Sequence, residues 1–473
     1  PTPNTTMTPK PNMMMMLIPS SKSFTEEDVV EDTSPFTAEI SKRSISSNAL
    51  SSMLAARENL NVVEVTQTNA LRKLDCAAQQ YAWGRIGSNS SVARMKAANS
   101  TNFIIEEDSP YAELWVGTHP NGMSQVIDCD TGESCSLKEY VQSDPLLHLG
   151  NSKATDLTFL FKVLSINKVL SIQAHPDKEL AERLHAEQPK IYKDANHKPE
   201  MAVALTDDFE AMCGFRPIAA ISANLRKYPE FRTLIGEEIA ASLCRLENSE
   251  ATREVLSDMF YSFNMASKEL VDSQLESLMK CLHAKKTEDL SRDDKLMLKL
   301  AGQFPGDSGI MAPLMLNHVM LTKGQSFYIG ANEPHAYISG EILECMACSD
   351  NVVRAGLTPK LKDVDTLVSM LTYKTVIPNI TSGKKMDECT TLYAPPVADF
   401  AIEVIEVEPY SEYTLKDVKS PSVLLTLSGS GKLVQGNVQS LPAAYGSAAF
   451  ASANTRTKVV SGPEGIRIVR ALS

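Results

Sequence analysis

The chain lacks the features that mark several large protein classes. Its 473 residues hold 46 lysines and arginines against 58 aspartates and glutamates, a net charge of −12, so no basic surplus is present to neutralise nucleic-acid phosphates. No apolar run approaches the roughly 20 residues that a membrane-spanning helix needs. Neither of the glycine-rich phosphate loops GxxxxGK[ST] and GxGxxG occurs. We therefore expect a globular protein without nucleic-acid or membrane partners. We also expect it to be cytoplasmic and a monomer that acts on a small molecule.

Disulfides and structural zinc clusters are also poorly supported. The nine cysteines are odd in number and mostly scattered, which suits a reducing compartment. Cys345 and Cys348 have the CxxC spacing of a metal or redox site, but no second CxxC completes a zinc site. The surrounding "EILECMA" is strand-like and sends the two thiols to opposite faces. We interpret the cysteines as buried thiols.

The N-terminal segment, residues 1–70, differs from the rest of the chain. It begins with a low-complexity stretch and continues with the acidic "TEEDVVEDTSPF". Such a composition buries little apolar surface, so it predicts a disordered extension. The lack of acidic residues before Glu26 leaves an organellar transit peptide as the alternative, although the same stretch has no arginine.

The remaining residues predict a mainly β fold with an α-helical insertion. Residues 71–218 and 303–375 show short strands separated by turns, and residues 219–302 show helical periodicity with long charged runs. Residues 376–473 alternate again between apolar and polar positions. Strands without βαβ alternation favour antiparallel barrels or sandwiches. We expect two β domains, the first made of residues 71–218 and 303–375, with the helical domain inserted into it.

A predicted strand near the middle of the chain has an unusual polar face. In "KVLSIQAHPDKELAERL", Ser171, Gln173 and His175 share one face with Val169, and Pro176 ends the strand before a helix. Further donors follow in "NHKPEMAVAL", where Lys198 and Glu200 share a face, and in "NEPHAYISGE", which supplies His335. The metal donors in this group make a plausible site for an ion such as Zn²⁺: Gln173, His175, Glu200 and His335. Hydrogen-bonded structural polar groups are the alternative.

Three cations stand near these donors in the sequence. Lys162 interrupts the apolar strand "LTFLFKVLSI", where a buried lysine needs a partner. It is either an edge-strand lysine that reaches water or a cation facing an anionic substrate, in the same cavity as Lys198. Arg354 follows in the polar connection "SDNVVRAGLTPK".

Long motifs in this chain resemble type I mannose-6-phosphate isomerase (phosphomannose isomerase), a family of the cupin superfamily. They include "YAWG", "PYAELWVGTHP", "FLFKVLS", "SIQAHPDK", "YKDANHKPEMAVAL" and "ANEPHAYISGEILECMACSDNVVRAGLTPK". The match runs in order from residue 75 to residue 473. The resemblance implies cupin-type jelly-roll β-barrels and one Zn²⁺ per chain, held by the four donors already named.

The same resemblance implies the reaction and the residues around it. It predicts a zinc-dependent isomerase of mannose 6-phosphate and fructose 6-phosphate that works through an enediol(ate) and links glycolysis to GDP-mannose synthesis. Three residues are predicted to be catalytic: Arg354, Lys198 and Asp350. Four are predicted to bind the sugar phosphate: Lys162, Ser171, Trp83 and Glu113. An oxygenase-type metal cupin and a non-enzymatic cupin are the rival hypotheses.

Overall fold

The computed structural model describes residues 70–100, 102–129, 131–246, 253–436 and 439–473, which belong to one compact unit, Thr66–Ser473. Residues 1–69 of the predicted disordered extension, and with them the transit-peptide alternative, lie outside the described residues. Within the described ranges, no helix is both long enough and apolar enough to cross a membrane.

The helices of the described residues are α1 Ser91–Asn99, α2 Leu137–Ser143, α3 Pro145–Leu149, α4 Lys178–Glu187, α5 Ile218–Lys227, α6 Pro229–Ile235, α7 Glu237–Arg245, α8 Arg253–Met265, α9 Lys268–His283, α10 Arg292–Gln303 and α11 Val364–Met370. Short 3₁₀ helices cover Gly87–Asn89, Pro120–Gly122, Thr287–Asp289 and Ser308–Leu314.

The strands are β1 Leu71–Asp75, β2 Ala77–Gln79, β3 Arg85–Ile86, β4 Pro110–Tyr111, β5 Glu113–Val116, β6 Gln125–Ile127, β7 Ser134–Ser136, β8 Phe159–Ile166, β9 Ile172–Ala174, β10 Glu200–Ala204, β11 Phe209–Phe215, β12 Leu316–Leu321, β13 Ser326–Ile329, β14 His335–Ala347, β15 Val353–Gly356, β16 Lys384–Lys385, β17 Thr390–Tyr393, β18 Ala401–Val407, β19 Glu412–Thr414, β20 Ser422–Gln435, β21 Gln439–Ala444, β22 Ala448–Ala451 and β23 Thr457–Leu472.

Two large antiparallel sheets organise the described residues. The ten-stranded sheet runs β12-β11-β14-β8-β5-β2, and the strands β9, β10, β13 and β15 join it around β14. The eleven-stranded sheet runs β16-β17-β18-β23-β20-β22-β1-β6-β7, with β19 and β21 paired to its long strands. The predicted mainly β fold with a helical insertion is thus present as a mixed helix and sheet structure. Closure of the sheets into jelly-roll barrels stays a prediction.

The predicted domain boundaries also stay a prediction, and the sheets do not follow them everywhere. β1, β6 and β7 come from the first predicted β domain, yet they continue the sheet of the C-terminal strands through the pairing of β1 with β22. An apolar layer that includes Phe161, Val163, Val423 and Phe450 fills the space between the two large sheets. The first and last β segments therefore share one core.

The helical insertion packs against the ten-stranded sheet with the periodicity that the sequence predicts. On α9 the buried positions are Val271, Leu275, Leu278 and Leu282, a spacing of four, three and four residues. These side chains join one apolar cluster with residues of β9, β11 and β14. The insertion therefore lies directly behind the strands that carry the polar residues predicted from the sequence.

The strand predicted over residues 168–175 is shorter in the structure. Only β9, Ile172–Ala174, is a strand, because the preceding backbone bonds to other partners. The amides of residues 167 and 168 donate to the carbonyl of Trp83, and the amide of Val169 donates to the side chain of Gln303. The Val169 side chain packs in the same apolar cluster as Ile172. Helix α4 follows as predicted, capped by the side chain of Asp177.

Candidate active site and metal centre

A cavity of about 650 Å³ lies beside the central strands of the ten-stranded sheet. All of the residues predicted from the sequence line it except His175 and His335, which lie behind its wall against Glu200. The lining residues among the predicted ones are Trp83, Glu113, Lys162, Ser171, Gln173, Lys198, Glu200, Asp350 and Arg354. Residues that are up to 271 positions apart in the sequence therefore meet at one cavity.

Three buried metal-donor side chains converge at this cavity. His175 Nε2 lies 3.2 Å from Glu200 Oε1, and His335 Nε2 lies 3.4 Å from Glu200 Oε2. One donor atom from each residue lies within 4.8 Å of the others. All three side chains are at most 2% exposed. The arrangement brings two imidazoles and one carboxylate to one point.

The hydrogen bonds of the two histidines determine which ring nitrogen faces that point. His175 Nδ1 lies 2.6 Å from the carbonyl oxygen of Asn351, and His335 Nδ1 lies 3.0 Å from that of Glu333. A carbonyl can only accept, so each Nδ1 carries a proton and each Nε2 is the ring nitrogen available to a metal. Burial, with the Lys198 ammonium, lowers the pKa of His175 to about 4, so that its ring is neutral at pH 7.

No hydrogen bond satisfies the three converging atoms. His175 Nε2, His335 Nε2 and Glu200 Oε2 are all buried without a hydrogen-bond partner. Burial alone would raise the pKa of Glu200, but the Lys198 ammonium opposes this and the pKa lies well below its usual range, so the carboxylate is ionised. Two lone pairs and a carboxylate oxygen that face one another need a cation between them. The donor set therefore fits a metal ion such as Zn²⁺.

Gln173 is adjacent to this cluster through strand pairing. Its Cα pairs with His335 of β14 on one side and with Arg354 of β15 on the other. Directly opposed residues of antiparallel strands have side chains on the same face. Gln173 also lines the cavity, so it lies beside the histidine as the predicted fourth ligand would. Arg354 lies on a strand, which corrects the expectation that it belongs to a polar connection.

Lys162 is buried between two carboxylates. Its Nζ lies 3.3 Å from Glu113 Oε2 and 3.0 Å from Glu344 Oε2, and it faces the ring of Trp115 at 5.1 Å. Strand β8 lies inside the sheet between β14 and β5, so the edge-strand interpretation of this lysine is wrong. Burial acts to lower the pKa of Lys162, but Glu113 and Glu344 together raise it above its ordinary value. Lys162 therefore stays protonated and is unsuited to act as a base.

Glu344 is a site residue that the sequence analysis missed. It lies on β14 with 4% of its side chain exposed, and burial raises its pKa, although the Lys162 ammonium opposes this. The sequence carries the same indication of a site residue as for Lys162, because Glu344, the fourth residue of "EILECMA", is a charged residue within an apolar strand. Two oppositely charged residues in two apolar strands predict a buried pair.

Asp350 and Arg354 occupy the more open side of the cavity. Asp350 Oδ1 lies 3.2 Å from His119 Nε2, a second residue that the sequence analysis missed, and this hydrogen bond lowers the pKa of Asp350. Burial lowers the pKa of Arg354, yet a guanidinium remains charged at neutral pH. Within the described ranges, no carboxylate pairs with Arg354. The cavity thus holds an ionised carboxylate and an uncompensated cation.

Comparisons with known proteins identify the family. The model of the phosphomannose isomerase type I catalytic domain matches residues 71–218, and the model of the type I helical insertion domain matches residues 234–316. The chain is 41% identical over 416 residues to mannose-6-phosphate isomerase of Rattus norvegicus, which covers 84% of this chain and 97% of the rat protein. The chain belongs to the type I phosphomannose isomerase family.

Other members of the type I phosphomannose isomerase family agree with this result. Mannose-6-phosphate isomerase 1 of Arabidopsis thaliana is 42% identical over 370 residues, covering 77% of this chain and 85% of the plant protein. A solved mannose 6-phosphate isomerase of Salmonella typhimurium, bound to substrate (f6p) and a zinc atom, matches with a TM-score of 0.71 and 30% identity. It covers 85% of this chain and 99% of that chain. Family membership, as predicted from the motifs, is confirmed.

Proposed function

We propose that this protein interconverts D-mannose 6-phosphate and D-fructose 6-phosphate through an enediol(ate), with one zinc ion per chain. The observation that carries the proposal is the buried cluster of His175, Glu200 and His335, whose unpaired donor atoms converge beside a cavity lined by cations. The substrate and the zinc of the Salmonella relative support it. Mannose 6-phosphate formed in this way would connect glycolysis to GDP-mannose synthesis.

The proposed metal ligands are the four residues predicted from the sequence, Gln173, His175, Glu200 and His335. When bound, zinc would supply a Lewis acid that stabilises the negative oxygen of the enediolate. Nδ1 of each histidine is already hydrogen-bonded to a backbone carbonyl, which holds the ring in the orientation that metal ligation through Nε2 requires. Lys198, whose Nζ lies 3.0 Å from Glu200 Oε1, orients that carboxylate and faces the cavity.

We assign the proton transfer between C1 and C2 to Asp350. Glu113 and Glu344 are held by Lys162, and Glu200 belongs to the metal cluster. The Asp350 carboxylate instead faces the cavity, where it lies 3.2 Å from His119 Nε2 and accepts a hydrogen bond of 3.4 Å from Asn121 Nδ2. A base must be deprotonated at neutral pH, and the lowered pKa of Asp350 meets that condition. Arg354 would stabilise the charge that develops when the proton leaves carbon.

The phosphate end of the substrate is assigned to the open mouth of the cavity. Lys168 and Lys360 are exposed, line the cavity and have no ion-pair partner within the described ranges. Ser171 and Thr358 stand beside them and offer hydroxyl donors. Lys162 was predicted to bind the substrate directly, but its charge is already neutralised by two glutamates, so we propose that it orders Glu113 and Trp115 instead. Trp83 forms part of the wall.

An oxygenase and a non-enzymatic binding protein are less well supported. The cations at the cavity mouth suit a phosphorylated substrate, and each proposed metal donor is present. We expect purified protein to contain one equivalent of zinc and to convert mannose 6-phosphate in an assay coupled to fructose 6-phosphate consumption. Chelation should abolish turnover, and added Zn²⁺ should restore it. Turnover that survives complete removal of the metal would contradict the proposal.

Replacement of a single histidine tests the metal centre directly. His335→Ala should lose the zinc and the activity together. The matched control is His185→Ala, because His185 Nδ1 also bonds to a backbone carbonyl, that of Tyr192, but the side chain lies outside the cavity lining. The control should keep one equivalent of zinc by elemental analysis. Full zinc retention in His335→Ala would remove that residue from the ligand set.

A further inference from the structure

The end of the helical insertion contacts two separate walls of the cavity. We call residues 303–307 the clamp segment; it begins at the last residue of α10. Gln303 Oε1 accepts a hydrogen bond of 2.9 Å from the backbone amide of Val169, and the side chain of Phe304 lines the cavity itself. The segment is therefore bonded directly to the wall formed by residues 168–171.

Asp307, at the other end of the clamp segment, bonds to the second wall. Its Oδ1 accepts from the backbone amide of Leu357 at 3.0 Å, and its Oδ2 accepts from that of Thr358 at 3.4 Å. The same carboxylate caps the following 3₁₀ helix through the amide of Gly309 at 2.8 Å and lies 3.8 Å from Lys362 Nζ. One carboxylate thus joins the insertion to residues 357–360.

Glycines at positions 309 and 356 leave room for the Asp307 carboxylate beside the backbone. A Cβ on Gly309 would lie 2.9 Å from Asp307 Oδ1 and 2.9 Å from Leu357 Cγ, and a Cβ on Gly356 would lie 3.2 Å from Asp307 Oδ1. Leu357 adopts a φ of +53°, a left-handed conformation that leucine rarely takes without support from its surroundings. The two hydrogen bonds that the Asp307 carboxylate accepts from the amides of Leu357 and Thr358 supply that support.

The two walls carry the groups assigned to the substrate phosphate. Lys168 and Ser171 belong to the first wall, and Thr358 and Lys360 belong to the second. The two walls leave neighbouring ends of paired strands, because Ile172 of β9 pairs with Gly356 of β15. Residues 168–171 and 357–360 themselves lie beyond that pairing. The clamp segment is bonded to both walls beyond the end of that pairing, and so holds the two unpaired segments relative to each other.

We infer that Gln303 and Asp307 are positioning residues that hold the two phosphate-binding walls at the separation required by a sugar phosphate. This inference rests on the proposed function, because the walls matter only if the phosphate binds between them. It gives the helical insertion a role in substrate binding, although none of the helical residues described between 218 and 303 lines the cavity. Displacement of binding groups by about 1 Å can reduce kcat/KM by roughly a hundredfold.

The test compares steady-state kinetics of clamp variants of the full chain. Gln303→Leu removes the acceptor at nearly constant volume, Gln303→Glu restores an acceptor oxygen, and Asp307→Ala removes the carboxylate. We expect Gln303→Leu and Asp307→Ala to raise KM for mannose 6-phosphate by about ten- to a hundredfold, with a smaller change in kcat and unchanged zinc content. Competitive inhibition by inorganic phosphate should weaken by a similar factor. Gln303→Glu should recover most of the lost affinity.

The matched control lies at the start of α10, the helix that ends at Gln303. Asp293, in the first turn of α10, pairs with Arg216 at 2.6 Å and is about as buried as Asp307, but it contacts neither wall. Asp293→Ala should therefore leave KM and phosphate inhibition unchanged. If Asp307→Ala and Gln303→Leu keep the wild-type KM while the wild-type enzyme isomerises its substrate, the clamp inference is wrong. Absence of isomerase activity in the wild type would instead contradict the proposed function.

Discussion

Replacement of Lys162 by methionine should destabilise the protein strongly. Lys162, Glu113 and Glu344 have side chains that are 8%, 9% and 4% exposed, so removal of the ammonium leaves two buried carboxylates without their cation. Breaking a buried ion pair in this way typically costs about 3–5 kcal/mol. With an unfolding entropy of about 2.1 cal/mol/K per residue, a unit of this size should lose roughly 4–6 °C in Tm.

The pH dependence of this loss provides a second measurement. Without Lys162 the pKa of Glu344, already raised by burial, should rise further. A carboxyl group whose pKa is raised in the folded state weakens stability as pH rises above its unfolded value, so the deficit of Lys162→Met should be larger at pH 8 than at pH 5. Adding Glu344→Gln should recover part of the stability, because it removes one unpaired carboxylate.

Lys299→Met is the control for the loss of a lysine. Lys299 pairs with Glu210 at 3.2 Å, but the two side chains are 35% and 25% exposed, so its removal should cost at most about 1 kcal/mol. Thermal unfolding of the two variants beside wild type, at several pH values, completes the experiment. If Lys162→Met loses no more stability than Lys299→Met, the buried triad does not stabilise the fold as argued.

Two further predictions concern catalysis and acid stability. Arg354→Ala should lower kcat by a factor of about 10²–10³, with zinc content and Tm near wild type. Arg354→Lys should restore kcat only in part, because an ammonium lacks the planar fork of a guanidinium. A change in KM alone would make this residue a phosphate anchor. Asp294→Asn should lower the free energy of unfolding by roughly 1–3 kcal/mol at pH 7. Burial opposes ionisation of Asp294, but hydrogen bonds from Tyr228 and Lys285 lower its pKa to about 2. The stability deficit of Asp294→Asn should therefore disappear as pH falls from about 4 to 2, which urea titrations at several pH values would measure. The control Asp289→Asn changes an exposed neighbour and should show no such trend.

Much of the candidate site could be predicted because its residues contradict their local pattern. Lys162 stands in an apolar strand, and Gln173 and His175 follow at a spacing of two. Polar groups at buried positions need partners, so such exceptions mark a site before its geometry is known. The helical insertion could also be predicted, because apolar residues that repeat with a period near 3.6 can be recognised in one continuous stretch of sequence.

The sequence alone determined the periodicity, the anomalous residues and the family, since each of these can be recognised within short stretches of chain. Only the tertiary structure decided which residues meet: Glu344 is 182 positions from Lys162, and Asp307 is 50 positions from Leu357. It also ended the strand before Ile172, since the amide of Val169 donates to Gln303 across 134 positions. Local patterns specify which face of an element is buried, whereas long-range packing specifies the partner against which it is buried.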